Sequence, residues 1–163
     1  MRWARAVLSR DEEETRRYGV LVAETAPSHA VVALMGELGT GKTRLVAGSA
    51  EGFGYEGRVR SPTFTLMNQY RVVHPLYHFD LYRLPSVDEL ELAEWEEYWD
   101  TGELSLIEWA ERLGSDLPER ALRIWLAHRG GTIRRIVFEA PMGEWDKLAR
   151  TLEGKEVDAY PRD

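Results

Sequence analysis

One junction constrains this chain more than any other. The apolar run Val31, Val32, Ala33, Leu34, Met35 passes without a break into Gly36, Glu37, Leu38, Gly39, Thr40, Gly41, Lys42, Thr43. The helix-compatible Arg44, Leu45, Val46 and Ala47 follow. The pattern G-x-x-x-x-G-K-T requires that order of buried strand, glycine-rich turn and helix N-terminus. Glycines allow backbone conformations and close approaches that a Cβ would obstruct, so successive N–H groups can point inward at phosphate oxygens. The helix dipole favours the same negative charge. In such a loop Lys42 supplies a point charge to the β- and γ-phosphates, and the Thr43 hydroxyl ligates Mg²⁺. The rival reading is a chance glycine turn, and the flanking strand and helix weigh against it. The spacing predicts a nucleoside triphosphate site over 36–43.

With 163 residues the chain is long enough for one domain with a sizeable core and short for two. A single domain is expected over 1–154, with the polar tail 155–163 frayed. The net charge of −7 argues against broad binding to a nucleic-acid backbone, leaving Arg58, Arg60, Arg134 and Arg135 as candidates for a local basic patch. The absence of cysteine excludes disulfides, thiolate metal sites and a cysteine nucleophile. The N-terminus lacks the apolar core of a signal peptide and no run approaches a membrane span, so a cytoplasmic protein without a membrane partner is expected.

Periodicity and punctuation predict the element order. A strand over 3–8 leads to a capping box, with Ser9 as N-cap and Glu12 reaching back, and to a helix over about 11–24. The strand 30–35 precedes the loop, and the following helix runs from Lys42 until the glycines at 52 and 54 stop it. Two extended segments follow over 63–71 and 75–82. A second capping box, Ser86 to Glu89, opens a helix through about Trp99. Next come a compact strand over 104–107 ending at Glu108, an antiparallel hairpin of strands 121–127 and 133–138, and a last helix over 144–152. Helices interleave with strands and a hairpin follows. The predicted class is α/β, a mixed sheet with a largely parallel centre and antiparallel additions, covered by helices in a three-layer sandwich like that of P-loop nucleoside triphosphatases.

A phosphate loop needs an acidic group near the metal and a group that senses the γ-phosphate. Two strand-end carboxylates compete for the first role. Glu108 closes the more apolar strand and is preferred as the carboxylate that holds Mg²⁺ with Thr43, directly or through water; Asp80 is then free to orient the attacking water or an outer-shell metal water. For either, the alternative is a surface carboxylate at a strand end. The hydroxyl-rich segment Ser61, Pro62, Thr63, Phe64, Thr65 could reach the γ-phosphate as switch segments do, or be a plain turn. Trp109 could stack on a base or simply pack. His29, His74, His78 and His128 show no metal-ligand spacing and read as structural or surface residues. The acidic run over 91–97 reads as a solvated helix face, with a docking surface as the alternative.

Four blocks in order carry a resemblance: Gly-Glu-Leu-Gly-Thr-Gly-Lys-Thr, Ser-Pro-Thr-Phe-Thr-Leu, Tyr-His-Phe-Asp-Leu-Tyr-Arg-Leu and Leu-Ile-Glu-Trp, over 36–109. Together they resemble the TsaE (YjeE) family, the ATPase component of bacterial tRNA threonylcarbamoyladenosine synthesis. Residues 11–15 and Gly19 resemble that family's opening helix; beyond 115 only the hairpin and last helix are similar. The resemblance implies ATP and Mg²⁺ as cofactors. It implies weak ATPase activity alone, with TsaB and TsaD as partners that modify adenosine 37 of certain tRNAs, so that tRNA is met only through the complex. It implies that residues 36–43 bind the triphosphate, that Thr43 and Glu108 hold Mg²⁺, that Lys42, Asp80 and Thr63 support hydrolysis, and that Glu12 and Thr132 flank the adenosine. The free chain is expected to be a monomer or weak oligomer. One departure is Glu94–Trp95, where the family usually has a glycine.

Two other readings stay open. A small P-loop kinase would add an arginine-bearing lid, for which the corner at Arg83 and the turn at Gly130 are poor candidates. In a non-hydrolysing switch, ATP would merely alter a docking surface.

Overall fold

The computed structural model describes residues 1–62, 65–84 and 86–155. The elements run β1 (Arg2–Ser9), α1 (Glu12–Thr25), β2 (Ala30–Met35), α2 (Lys42–Gly52), β3 (Met67–Tyr70), β4 (Leu76–Asp80), α3 (Glu89–Thr101) and β5 (Leu104–Glu108). A 3₁₀ stretch (Ala110–Asp116), β6 (Leu122–His128), β7 (Arg134–Pro141) and α4 (Asp146–Glu153) complete them. All seven strands join one sheet in the order β1-β7-β6-β2-β5-β4-β3. The centre, β6-β2-β5-β4, is parallel, and β3, β7 and β1 add antiparallel edges. This mixed sheet is the one the alternation of elements predicts.

Every residue of β2 is buried, as expected of a central parallel strand covered on both faces. Period-two alternation sorts its side chains. Val32 and Leu34 join Leu104, Leu106 and Ile124 under Tyr18 and Val22 of α1, Leu45 and Val46 of α2, and Leu148 and Leu152 of α4. Val31, Ala33 and Met35 face the other way, with Phe79 and Ile107 under Trp95 and Trp99 of α3 and Leu113 of the 3₁₀ stretch. The acidic run of α3 is a solvated face, since Glu94, Glu96 and Glu97 are exposed while Trp95 packs 5.8 Å from the Phe79 ring.

Both predicted capping boxes start two residues too early. Asp11, not Ser9, caps α1 by accepting from the Glu14 amide at 2.8 Å, and Asp88, not Ser86, caps α3 through the Glu91 amide at 2.8 Å. A carboxylate accepts more strongly than a hydroxyl and complements the helix dipole. Ser9 instead ends β1, fully buried and 2.6 Å from the Thr15 hydroxyl. The segment predicted as a strand over 63–71 is a strand only at Met67–Tyr70. Its described beginning turns back on Pro62, whose carbonyl takes the amides of Thr65 and Leu66, and Leu66 is left-handed at φ 66°. β4 stops at Asp80 because the Asp80 carboxylate captures the Tyr82 amide at 2.9 Å. The hairpin forms as expected, but β7 continues to Pro141 so that it can pair along β1. The last helix starts at Asp146 rather than 144. Of the tail 155–163, the Lys155 amide bonds the Leu152 carbonyl, and 156–163 lie outside the described residues.

Helices α1 and α2 cross in backbone contact. A Cβ on Gly48 would lie 1.9 Å from the Arg16 carbonyl oxygen. The Ser49 hydroxyl donates to the Gly19 carbonyl at 3.0 Å in the same buried crossing. The contact seats the start of α1 beside the start of α2.

Candidate functional site

The site forms where the parallel strands end. β2 runs into the glycine loop, and Leu34 pairs with Glu108 while Asp80 pairs with Glu108 on the other side. The two acids that the sequence places at strand ends thus lie on adjacent strands at the mouth of the loop. Both are buried, Asp80 at 2% and Glu108 at 3% exposure, which rules out the alternative of surface carboxylates.

The loop keeps its shape by backbone means. Gly36 has φ 139°, and a Cβ there would meet the Leu126 carbonyl oxygen at 2.3 Å, so the turn out of β2 admits no side chain. The Thr40 hydroxyl closes the loop on the Glu37 carbonyl at 2.8 Å. The N-terminus of α2 has no side-chain cap and no acid in its first turn, whereas α1 opens with Glu12, Glu13 and Glu14, and α3 with Glu89 and Glu91. The positive end of α2 is thereby left for an anion from outside the chain.

Lys42 lies across this loop at 5% exposure. Its ammonium donates to the Gly36 carbonyl at 2.5 Å and the Glu37 carbonyl at 2.9 Å, and stands 4.1 Å over the Trp109 ring. Burial pushes its pKa below the ordinary lysine value, against the opposing pull of Glu108, Glu111 and Asp80. Trp109 adopts a left-handed backbone (φ 57°, ψ 39°) directly after β5, and its ring packs 4.9 Å from Tyr82. Its packing partners are therefore the lysine and the cleft wall.

Thr43 donates to both oxygens of Glu108, at 2.9 and 3.1 Å. Ser61 donates to Asp80 at 2.6 Å, so the hydroxyl segment does reach the site; Thr63 lies outside the described residues. These groups line a cleft of about 690 Å³ that also includes Arg58 and Trp109. A smaller pocket of about 120 Å³ lies beside the loop and brings together Glu12, Thr132, Arg44 and Arg134. Arg44 pairs with Glu12 at 3.0 Å, and the Thr132 hydroxyl donates to the Arg10 carbonyl at 2.6 Å. The four candidate basic residues are thus divided, with Arg58 on the cleft and Arg134 on the small pocket.

The structure adds His78, which the sequence reading left among structural or surface residues. It is fully buried, and Nε2 lies 2.5 Å from Glu108 Oε2. The signal was parity: His78 precedes Asp80 by two in a strand, so both face the same side.

Comparisons with known proteins identify the family. The family model described as threonylcarbamoyl adenosine biosynthesis protein TsaE matches residues 9–136, a span that includes every group named above as lining the cleft and the small pocket. The tRNA threonylcarbamoyladenosine biosynthesis protein TsaE of Bacillus subtilis (strain 168) is 38% identical over 141 residues, covering 86% of this chain and 88% of that protein. The protein of the same description from Treponema pallidum (strain Nichols) is 40% identical over 120 residues, covering 73% and 88%. A crystal structure of Bacillus subtilis YdiB superposes with a TM-score of 0.78 at 32% identity, covering 94% of this chain and 97% of that one.

Proposed function

The chain belongs to the TsaE family, and on that premise we propose that it is a P-loop ATPase that serves tRNA threonylcarbamoyladenosine biosynthesis. The observation that carries the reading is the Thr43–Glu108 pair at the head of α2, the helix whose first turn holds no acid. In this reading the amides of 36–43 and the Lys42 ammonium cradle the polyphosphate of ATP, and the Glu12–Thr132 pocket takes the adenosine end.

The donor set fits Mg²⁺. Thr43 and Glu108 offer only oxygen, which suits a hard cation, and among the described residues no cluster of three or more His, Cys, Asp or Glu forms an all-protein cage. Such a site suits an ion that arrives with nucleotide phosphates; bound there, it would supply positive charge against the charge that develops during phosphoryl transfer. Asp80, beside Glu108 on the adjacent strand, has Ser61 on one oxygen and the Tyr82 amide on the other and is held to orient a water.

Hydrolysis by the chain alone is slow in this reading. Of the cleft's arginines, Arg44 is taken up by Glu12 and Arg58 is exposed at the rim. An arginine finger is worth about 10³–10⁵ in rate. TsaB and TsaD are the proposed partners that complete or position the site. A net charge of −7 leaves contact with tRNA to the assembled complex. No helix among the described residues is long and apolar enough to cross a membrane.

The test is calorimetry with ATP, with magnesium or with EDTA, on the native chain and on Lys42→Ala, followed by phosphate release with and without TsaB and TsaD. Magnesium-dependent binding lost in Lys42→Ala, and turnover stimulated by the partners, support the proposal. No nucleotide uptake, or uptake indifferent to Lys42, ends it. Phosphate found on an added acceptor would instead make the chain a kinase.

A further inference from the structure

Behind Glu108 runs a buried chain of hydrogen bonds that leaves the cleft and returns to it. His78 Nε2 lies 2.5 Å from Glu108 Oε2, and His78 Nδ1 lies 2.8 Å from the Tyr70 hydroxyl. The Tyr70 hydroxyl is 3.2 Å from the Arg60 carbonyl, which also accepts from the Asn68 amide group at 2.9 Å. One residue further on, Ser61 donates to Asp80. The segment over 58–62 is therefore attached to the site twice, by a side chain on Asp80 and by a main-chain carbonyl linked through two buried rings to Glu108.

Sheet register explains why these groups meet. Asn68 pairs with His78 and Tyr70 with Leu76 across β3 and β4, while His78 pairs with Leu106 and Asp80 with Glu108 across β4 and β5. All of them lie on the face that α2 covers. The terminal torsion of a glutamate is broad, so its own rotamer preferences do not select the plane of the carboxylate. A fixed donor does. Tyr70 has one hydroxyl proton and two acceptors in reach, Arg60 O and His78 Nδ1. If the proton goes to Nδ1, the imidazole is neutral and carries its own proton on Nε2. If it goes to Arg60, Nδ1 must donate to the Tyr70 oxygen. A carboxylate oxygen only accepts, so toward an ionised Glu108 the ring presents Nε2–H, leaving the other lone pairs of the carboxylate directed to Thr43 and the cleft.

We propose that His78 and Tyr70 are positioning residues: His78 fixes the plane in which Glu108 meets Thr43 and the metal, and Tyr70 couples that orientation to the 58–62 segment. The proposal rests on the reading of Thr43 and Glu108 as the Mg²⁺ site. Movement of the segment, with Arg58 and Ser61 at the rim of the cleft, is then felt at Glu108 through Arg60, Tyr70 and His78. The carboxylate's preference for the metal and the position of the segment change together.

Three variants test this. Tyr70→Phe keeps the ring and removes the link to the segment. His78→Asn offers a polar group near Nδ1 but none at Nε2, whereas His78→Gln can still donate from the Nε2 position. Two readouts are taken on the full chain: nucleotide affinity with magnesium against EDTA, and amide hydrogen exchange over 58–61. His78→Asn should lower the magnesium-dependent gain in affinity by about 10–100-fold, the usual effect of losing a group that orients a metal ligand. The affinity in EDTA should stay unchanged, and His78→Gln should recover most of the gain. Tyr70→Phe should speed exchange over 58–61 and lower the same gain. A full magnesium gain in a folded His78→Asn or Tyr70→Phe variant overturns the proposal, and so does native exchange over 58–61 in Tyr70→Phe. The exchange measurement needs no nucleotide. It therefore decides the coupling even where the native chain proves not to bind ATP, an outcome that would overturn the nucleotide reading by itself.

Discussion

The Thr43 hydroxyl donates to both carboxylate oxygens of Glu108, at 2.9 and 3.1 Å, although 65 positions separate the two residues. They meet because β2 and β5 are parallel neighbours with Leu34 opposite Glu108, so the strand that feeds the loop and the strand that ends in the acid finish side by side. Glu108 Oε2 also lies 2.5 Å from His78 Nε2, which makes the carboxylate the point where the loop and the sheet interior join.

Replacing Glu108 by Gln keeps the side-chain volume and removes the charge. Hydrogen bonds to charged groups are worth about 1.5–3 kcal/mol, so the magnesium-dependent part of nucleotide affinity is expected to fall by roughly tenfold to a hundredfold. Affinity in EDTA should not fall. Calorimetry in both conditions checks the split.

Lys42 is expected to be held at a cost to stability. Burial lowers its pKa in the folded chain, so the protonated form disfavours folding. The penalty is complete below the folded pKa and is lifted as pH rises toward the ordinary value of 10.5. Lys42→Met should therefore unfold at higher denaturant than the native chain at neutral pH, with the difference shrinking in alkaline buffer, while nucleotide binding is lost. Urea titrations at a neutral and an alkaline pH measure it; equal midpoints at neutral pH would contradict the expectation.

Gly48→Ala places a methyl group 1.9 Å from the Arg16 carbonyl oxygen, a main-chain atom that cannot rotate away. Overpacking of this kind costs about 1–3 kcal/mol, occasionally more, and each kcal/mol lowers Tm by about 2–4 °C in a domain of this size. Because α1 carries Glu12 and Thr15 to the small pocket, nucleotide affinity should weaken in parallel. Thermal melts and binding on the same preparation test both effects.

Asp80→Asn retains one carboxyl-like oxygen for either the Ser61 hydroxyl or the Tyr82 amide. The variant should fold and bind nucleotide as before. Turnover measured in the presence of TsaB and TsaD should drop by about 10²–10⁴, the range for losing a general acid–base group. Unchanged turnover would remove Asp80 from the proposed mechanism.

Much of this molecule is written in short stretches of its chain. The strand–loop–helix junction over 30–52, the two strand-end acids and the hairpin around Gly130 were legible because each depends on residues within a turn or two of one another. The caps were misread by two residues because Ser9 and Asp11, and likewise Ser86 and Asp88, offer alternative starts for the same helix, and the choice is decided by acceptor strength and, for α1, by where β1 releases the chain. The short β3 was overestimated because aromatic and β-branched content does not register the turn that Pro62 and Leu66 make before it.

Strand order, by contrast, is written in no single stretch. It follows from burying both faces of β2 at once, which requires α1, α2 and α4 on one side and α3 on the other, and it places β5 and β4 next to the loop. That neighbourhood makes His78 a partner of Glu108 and Tyr70 a partner of His78, pairings that no local spacing contains. A phosphate-shaped turn depends on backbone torsions that nearby residues dictate. The orientation of a buried carboxylate depends on which distant donors the packed sheet brings within 3 Å of it.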